Sequence, residues 1–335
     1  MWNFFRRLAL TFAALVTARA QVTHAPFPKV DNVAAYKVDA TWPREKPPGG
    51  EWTAAMSSVA LAPDGNIWSL NRGAIPIQVY SPDGKLIKAW GQGMFKNPHT
   101  IRIDPQGGLW VIDTLAQTVR KFSPEGQVLM TLGTPNEPGE DAKHLNQPND
   151  VAFGPNGDIA VSDGYGNDRV ALFDKHGKFL RAWGKMGQAP GEFSQPHSVA
   201  FDSRGRIYVA DRNNSRIQVF DGQGKLLSQW KNLVTPWYIV INPADEVFVI
   251  GSSPMLWSES AGTFLATPPK DQILMKFDTT GRLLQQWAFP KGENGKEKPG
   301  DLNWAHGMAI APDGTLYVAD VQGKRVQKFV PAGMR

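Results

Sequence analysis

Three of the six histidines share a local sequence that suits a metal site. His99, His197 and His306 each stand immediately before a short run of alternating apolar residues, in NPHTIRID, QPHSVAFD and WAHGMAIA. Imidazole is the commonest metal ligand in proteins, and three imidazoles with a fourth position left open are typical of catalytic zinc. These residues predict a divalent-metal site. We assign it to Zn²⁺, and other divalent ions also bind three histidines.

Two arginines and a tyrosine suit an anion site beside such a metal. Arg212 follows His197 by fifteen residues, Arg72 stands in the sequence NRG, and Tyr165 stands in SDGYGNDR. Two guanidinium groups next to a cation need an anion between them, and their fork geometry fits a carboxylate. A phenol beside a metal can act as a general base. We therefore expect a small-molecule or peptide substrate with a carboxylate; the alternatives are arginines solvated at a rim and a tyrosine that only packs.

The elements that must position these residues are six copies of one unit. Each copy contains a tight turn and several alternating runs that are rich in β-branched and aromatic residues, which is typical of antiparallel strands. Four short strands in ~40–50 residues, repeated along the chain, are the pattern of propeller blades. We predict an all-β fold, a six-bladed β-propeller with four-stranded blades. The copies begin at Ser58, Thr100, Asp150, Ser198, Tyr238 and Gly307.

The two ends of the chain predict how the ring closes. The last copy supplies three strands, whereas residues 34–42, AAYKVDATW, resemble the outermost strand of the first copy, KLIKAWG. Pairing this N-terminal strand with the last blade would close the ring and remove exposed sheet edges.

One position at the channel mouth then recurs in every blade, and histidine fills it in alternate blades. In blade order its residues are Ser57, His99, Asn149, His197, Trp237 and His306.

The connections on the side of the histidines hold nearly all of the extra chain length. Binding loops concentrate where a rigid scaffold tolerates length, so we expect the functional mouth on this face. Residues 251–271, GSSPMLWSESAGTFLATPPKD, suit either a lid over the mouth or an ordinary packed rim.

One further set of residues recurs at a turn and is expected to bond to the backbone there. These are Asp113, Asp163, Asp211 and Asp320.

Composition and the first residues define the class of protein. The 335 residues include no cysteine, which excludes disulfides and thiolate ligands. Residues 1–20 combine Arg6 and Arg7 with the apolar run LALTFAALVTA and end near Ala20, as a secretory signal peptide does. Without them, 33 basic residues face 31 acidic ones, so nothing favours binding to nucleic acid. We expect a secreted or periplasmic monomer without membrane insertion, in which a segment over 21–33 precedes a propeller over 34–335.

With these residues in place, the sequence resembles NHL-repeat propellers, and among them the peptidyl-α-hydroxyglycine α-amidating lyases. The resemblance is strongest over residues 145–220, in LNQPNDVAF, VSDGYGNDRV, FSQPHSVAF and IYVADRNNSRIQVF, and it extends more weakly over the whole ring. It implies a six-bladed propeller with zinc, an essential tyrosine and two arginines. The corresponding positions here are His99, His197 and His306 for zinc, Tyr165, and Arg72 with Arg212.

The resemblance also implies an activity, the cleavage of a carbinolamide, R–CO–NH–CH(OH)–COO⁻, to an amide and glyoxylate. Tyr165 would take the hydroxyl proton. Arg212 would hold the carboxylate, and Arg72 would steady the developing charge. The sequence contains no recognisable copper monooxygenase domain, so the hydroxylated substrate is expected to come from elsewhere.

Two features depart from that family, and two other functions stay open. Gly307 stands where the family has an aspartate that helps to hold a structural calcium, which puts calcium binding in doubt, and the family's disulfides cannot form. One alternative is a non-catalytic secreted propeller that binds a peptide, glycan or protein on the long-loop face. The other is a calcium-dependent lactonase, which would need carboxylates and amides around the ion, where only Asn149 stands beside the histidines.

Overall fold

The repeats form a closed ring of sheets. The structure, a computed structural model, describes residues 34–231, 233–253 and 272–334. In these residues 24 strands form six antiparallel sheets of four strands each. The innermost strand of each sheet contacts those of the two neighbouring sheets, and the last sheet contacts the first. This confirms the predicted six-bladed β-propeller.

Each blade runs from an innermost strand at the channel to an outermost strand at the rim. Blade 6 takes its outermost strand from the start of the chain, β1 (Ala34–Val38). Blade 1 contains β2 (Met56–Leu61), β3 (Ile67–Asn71), β4 (Ile77–Tyr80) and β5 (Leu86–Trp90). Blade 2 contains β6 (Pro98–Ile103), β7 (Leu109–Asp113), β8 (Thr118–Phe122) and β9 (Val128–Leu132). Blade 3 contains β10 (Asp150–Phe153), β11 (Ile159–Asp163), β12 (Arg169–Phe173) and β13 (Phe179–Trp183).

The second half of the ring repeats this order. Blade 4 contains β14 (Pro196–Phe201), β15 (Ile207–Asp211), β16 (Arg216–Phe220) and β17 (Leu226–Trp230). Blade 5 contains β18 (Thr235–Ile241), β19 (Val247–Ser252), β20 (Gln272–Phe277) and β21 (Leu283–Phe289). Blade 6 adds β22 (Ala305–Ile310), β23 (Leu316–Asp320) and β24 (Arg325–Met334). Two single-turn helices follow the second strands of blades 3 and 4, namely α1 (Gly164–Asn167) and a 3₁₀ turn (Arg212–Asn214).

The ring closes through the predicted N-terminal strand. β1 pairs antiparallel with β24, with Val38 opposite Phe329. The strand stops four residues before Trp42, whose ring packs between Tyr80 of blade 1 and Tyr317 of blade 6, with centroid distances of 5.7 and 5.1 Å. The tryptophan therefore joins the first and last blades through side-chain packing, where the sequence pattern had suggested a continuous strand.

Tight turns join the first and second strands of each blade. In blade 1 the N–H of Ala62 donates to the carbonyl of Asn66 at 2.9 Å, and Gly65 has a φ of +85°. A positive φ suits glycine because it has no Cβ. Blade 5 has Asp245 at this position with a φ of +58°, and aspartate is among the residues that tolerate that region. The short turns keep the blades alike on this face.

The core lies between neighbouring blades. Between blades 4 and 5, Tyr208, Ile239 and Phe277 belong to one buried apolar cluster, and each is at most 2% exposed. Similar clusters fill the other gaps around the ring. Complete burial of such a side chain contributes roughly 1.5–3 kcal/mol relative to exposure. The packing fixes the blades around the channel and therefore fixes the residues at its mouth.

Candidate metal centre and adjoining cavity

The structure brings the three predicted histidines together at the channel. The ring centroids of His99, His197 and His306 lie 4.8–5.0 Å apart. One ligand nitrogen from each ring lies within 4.8 Å of the others. Their exposed fractions are 0%, 1% and 6%. Three buried imidazoles at this spacing are close enough to bind one metal ion.

A β-bulge places each of these histidines. The residues on either side of His99 pair with Ile112 and Asp113, which are adjacent in β7, so His99 has no single partner across the ladder. The register shifts in the same way at His197 and at His306. A bulge re-aims the side chain of the extra residue. Here it directs an imidazole into the channel from the second residue of the innermost strand.

The other ring nitrogen of each histidine is held by the next blade. Each Nδ1 lies within hydrogen-bond distance of a backbone carbonyl, which can only accept, so Nδ1 carries the proton and Nε2 keeps a free lone pair. The acceptors belong to the channel-mouth residues of blades 1, 3 and 5. The pairs are His99 with Asn149 at 2.9 Å, His197 with Trp237 at 2.7 Å, and His306 with Ser57 at 2.7 Å.

Burial keeps the three imidazoles neutral. It lowers the pKa of His306 to about 3, and the charge of Arg72 contributes to the shift. Burial, followed by the neighbouring His306, also lowers the pKa of His99 and His197 well below the ordinary value. Neutral imidazole is the form that binds metal. The donor set therefore fits a divalent ion that accepts nitrogen ligands, such as Zn²⁺.

The recurrent aspartates hold the segments that lead into the channel-mouth residues. Each carboxylate accepts hydrogen bonds from backbone N–H groups two or three residues before that position, which confirms the predicted structural role. Burial raises the pKa of Asp211 to about 6. The donors are Lys96 and Asn97 to Asp113, Asn146 to Asp163, Ser194 to Asp211, and Asn303 and Trp304 to Asp320, at 2.7–2.9 Å.

Tyr165 reaches the histidines from the single-turn helix α1. Its hydroxyl oxygen lies 3.2 Å from Nε2 of His99 and 3.0 Å from Nε2 of His197. Nη1 of Arg212 donates to the same oxygen at 3.4 Å. The phenol therefore stands between the ligand nitrogens and a fixed positive charge, where it can exchange a proton with a group bound at the centre.

Arg212 is held by aromatic rings. Its guanidinium carbon lies 5.3 Å from the ring centroid of Tyr165 and 5.0 Å from that of Trp237, and the residue is 6% exposed. Burial lowers the pKa of Arg212, whereas Tyr165 raises it. Arg72 is exposed at the mouth of the same cavity. Among the described residues neither arginine forms an ion pair, so both are available to an anion.

A cavity of about 330 Å³ lies above the histidines. Trp237 lies at the channel mouth as predicted, whereas Trp304 and Gln322 were not expected there. Trp304 stands two residues before His306, which is the one sequence signal that could have identified it. The described residues that line the cavity are Arg72, Tyr165, Arg212, Trp237, Trp304, His306, Val321 and Gln322.

The position of Gly307 does not fit a structural calcium site. A Cβ added there would lie 2.8 Å from the Cα of Ser58, so an aspartate would require the inner strands to move apart. The nearby carboxylate of Asp150 is already paired with Arg102, whose Nε donates to it at 2.9 Å. Glycine at position 307 thus supplies no side-chain oxygen to such a site.

Several expectations concern residues outside the described part of the chain. The signal peptide at 1–20, the segment at 21–33 and most of the predicted lid, residues 254–271, belong to this group. Within the described ranges, no helix has the length and apolar character needed to cross a membrane.

The comparisons with known proteins agree with the repeat analysis. The NHL repeat matches residues 145–173, 193–220 and 302–329, which contain Tyr165, His197, Arg212 and His306. NHL repeat-containing protein 3 of Homo sapiens is 30% identical over 315 residues, which are 88% of this chain and 84% of that protein. The structure of a virginiamycin B lyase from Staphylococcus aureus aligns with a TM-score of 0.55 at 16% identity, over 83% of this chain and 81% of that one. Similarity at that level shows the fold alone.

Other relatives have names that include an activity. Peptidyl-glycine alpha-amidating monooxygenase B of Xenopus laevis is 32% identical over 329 residues, 88% of this chain and 35% of that protein. The probable peptidyl-alpha-hydroxyglycine alpha-amidating lyase of Caenorhabditis elegans is 29% identical over 256 residues, 75% of this chain and 68% of that protein. The chain thus spans about a third of the length of the amidating monooxygenases that it matches.

Proposed function

Because the chain belongs to the NHL-repeat family and its relatives include named α-amidating lyases, we propose that it is a metal-dependent C–N lyase. Its substrate is an α-hydroxyglycine-type carbinolamide, which it cleaves to an amide and glyoxylate. One observation carries the proposal: the Tyr165 hydroxyl lies within 3.2 Å of Nε2 atoms of two of the three converging histidines, and a buried arginine lies beside it.

The histidines would hold the ion. His99, His197 and His306 present unprotonated Nε2 atoms, and the carbonyl bonds at Nδ1 prevent the rings from turning. A bound Zn²⁺ would act as a Lewis acid and leave a position open to the substrate. The proposal includes Zn²⁺ as this ion, and metal analysis of the purified protein tests it.

Tyr165 moves the proton. It takes the proton of the substrate hydroxyl as the carbon–oxygen double bond of glyoxylate forms. The C–N bond breaks with its electron pair going to nitrogen, and that nitrogen takes a proton to give the amide, so atoms and charge balance. Tyr165 is the described group whose position suits both transfers, since its oxygen lies beside the histidines and faces the cavity.

The arginines hold the substrate. Arg212 is the carboxylate anchor, because the rings of Tyr165 and Trp237 fix its guanidinium group and it forms no ion pair with the described carboxylates. Arg72 enters from the opposite side of the ring and stabilises the charge that develops as the bond breaks. A carboxylate held in this way places the hydroxyl-bearing carbon beside Tyr165. The proximity and orientation of the two groups then accelerate the proton transfer.

Glyoxylate release from an α-hydroxyglycine compound tests the function. The wild-type chain with Zn²⁺ should release glyoxylate, and Tyr165→Phe should lose about 10²- to 10⁴-fold in kcat, as expected on removal of a general base. His197→Ala should lose both bound metal and activity. His144→Ala is the matched control, because His144 bonds to Asp141 at a loop outside the channel.

Equal rates in the wild type, Tyr165→Phe and His197→Ala would refute the lyase. Metal-independent ligand binding without glyoxylate release would instead favour a non-catalytic propeller. The similarity to NHL repeat-containing protein 3 keeps that second function open, because the name of that relative includes no activity.

Export and a monomeric state are part of the proposal. Residues 1–20 have the charge, apolar run and small residues of a signal peptide, which supports export. N-terminal sequencing of the exported protein should begin near Gln21, and light scattering should give the mass of one chain. A mature protein that still begins at Met1 would contradict export.

A further inference from the structure

The cavity above the histidines has a polar side and an aromatic side. Side chains from blades 1, 3 and 4 form the polar side, and side chains from blades 5 and 6 form the aromatic side. Among the described residues no carboxylate lines it. The polar side includes Arg72, Tyr165 and Arg212, and the aromatic side includes Trp237, Trp304 and Val321. His306 and Gln322 of blade 6 complete the lining among the described residues.

The aromatic side is a fixed surface. Trp237 is 2% exposed, and its indole N–H donates to the hydroxyl of Ser252 at 3.2 Å, so only its ring remains for packing. The ring of Trp304 lies 5.0 Å from that of Trp237 at an angle of 57°. The backbone N–H of Trp304 donates to Asp320 at 2.7 Å, which holds the residue at the edge of the cavity.

We propose that Trp237 and Trp304, here called the tryptophan wall, bind the acyl group of the substrate. The preferred substrates are then N-acyl-α-hydroxyglycines whose acyl unit is apolar or aromatic. This inference rests on the proposed lyase function. In such a substrate one carbon carries both the carboxylate and the amide nitrogen. With the carboxylate at Arg212, the acyl group leaves that carbon toward blades 5 and 6.

The size and charge of the cavity narrow the substrate class further. Its volume of about 330 Å³ lies at the small end of ligand pockets and suits the hydroxyglycine group with one neighbouring acyl unit. The two arginines repel a basic group in that unit. Indole rings favour a flat apolar partner, which they contact edge-on or in offset stacking. The described lining therefore recognises the unit next to the scissile bond.

Two matched pairs of compounds test the tryptophan wall. The first pair, phenylacetyl- and acetyl-α-hydroxyglycine, reports kcat/KM through glyoxylate release. The second pair, phenylacetylglycine and acetylglycine, lacks the hydroxyl and reports affinity alone by calorimetry. With the full chain and Zn²⁺, we expect the phenylacetyl member of each pair to be preferred by about 10- to 100-fold.

Variants at the wall separate recognition from folding. Trp304→Ala should bring both ratios close to one, whereas Trp304→Phe should keep most of the preference because an aromatic face remains. Leu129→Ala is the control, since Leu129 is 59% exposed on the outermost strand β9 and should leave both ratios unchanged. Thermal unfolding of each variant shows whether the ring is intact.

The results distinguish this inference from the lyase function. Equal affinities of the wild type for phenylacetylglycine and acetylglycine, or a preference that survives in Trp304→Ala, would overturn the tryptophan wall. If no hydroxyglycine compound releases glyoxylate while the affinity ratio is present and falls in Trp304→Ala, then the lyase function fails and the wall stands as a ligand-binding surface.

Discussion

A buried ion pair one layer below the histidines gives a sharp test of how the ring supports the site. The guanidinium group of Arg102 donates to the carboxylate of Asp150 at 2.9 Å, and its Nη2 also donates to the carbonyl of Ile239 at 3.2 Å. Asp150 is completely buried. Burial would lower the pKa of Arg102, but Asp150 and Tyr238 raise it above its ordinary value. Arg102 also donates to the carbonyl of Val199 at 3.4 Å, so this one side chain joins four inner strands, β6, β10, β14 and β18.

Removal of one partner leaves an uncompensated charge in the channel. We expect Arg102→Met to lower the free energy of unfolding by about 3–5 kcal/mol, which is the range measured for broken buried pairs. Asp150→Asn should cost a similar amount. The double variant should lose clearly less than the sum, because both charges are gone and the coupling between contacting residues is non-additive.

Urea unfolding of the four proteins measures this coupling. Arg282→Met is the matched control: Arg282 pairs with Asp278 on the surface, where its side chain is 73% exposed, and such pairs contribute at most about 1 kcal/mol. Additive single variants, or single costs below about 1 kcal/mol, would refute the reasoning that this pair supports the channel.

The same variants should weaken the metal centre. Asp150 follows Asn149, whose carbonyl holds His99, and its carboxylate accepts a hydrogen bond from Ser198 at 2.6 Å, next to His197. Loss of groups that orient metal ligands reduces metal affinity by about 10- to 100-fold. Competition with a chelator measures this at a temperature where the variants are folded. Unchanged affinity in a destabilised variant would show that the pair supports the ring without orienting the ligands.

Three further predictions follow from single contacts. Gly164→Ala should lower the free energy of unfolding by about 1–3 kcal/mol in urea titrations, because a Cβ there would lie 2.0 Å from the carbonyl oxygen of Pro196. In the metal-free protein the contribution of His306 to the free energy of unfolding should fall as the pH drops from 7 to 5, because an unfolded histidine, with a pKa near 6.5, binds a proton that folded His306, with a pKa of about 3, does not bind. This loss is about 2 kcal/mol for His306 at pH 5, so the change between pH 7 and pH 5 in urea titrations should be about 2 kcal/mol smaller in His306→Asn than in the wild type. Asp320→Ala should lower metal affinity in the chelator assay, because it frees the N–H groups before His306.

The sequence could predict the blades because each one repeats the same local signals. Alternating apolar residues, a turn glycine such as Gly65 and a polar turn recur in register, so six weak patterns support one another. Alternate blades carry histidine, which made the convergence of His99, His197 and His306 predictable from the sequence. The closing strand was predictable because the last blade lacked its fourth strand.

The rest of the site depends on backbone groups that leave no sequence signal. The carbonyls that hold the imidazoles belong to Ser57, Asn149 and Trp237, whose side chains have nothing in common. The bulge at each histidine is a shift in pairing register, which a period-two pattern cannot show. Trp304 was missed because it lies in the connection before β22, outside the repeating pattern, among twelve tryptophans of which several pack in the core.

The geometry of the histidine site depends on every blade of the ring, because the blades that supply imidazoles alternate with the blades whose carbonyls hold them. Blades 2, 4 and 6 supply imidazoles, and each imidazole is oriented by the blade that follows, so the order closes only with an even number of blades. Arg102 joins blades 2 to 5 beneath two of these contacts. The third contact, from His306 to Ser57, instead spans the junction between the last blade and the first, where β1 completes the sheet. Any change that loosens the closing strand should therefore disturb His306 before the other two ligands, although that strand lies at the outer rim.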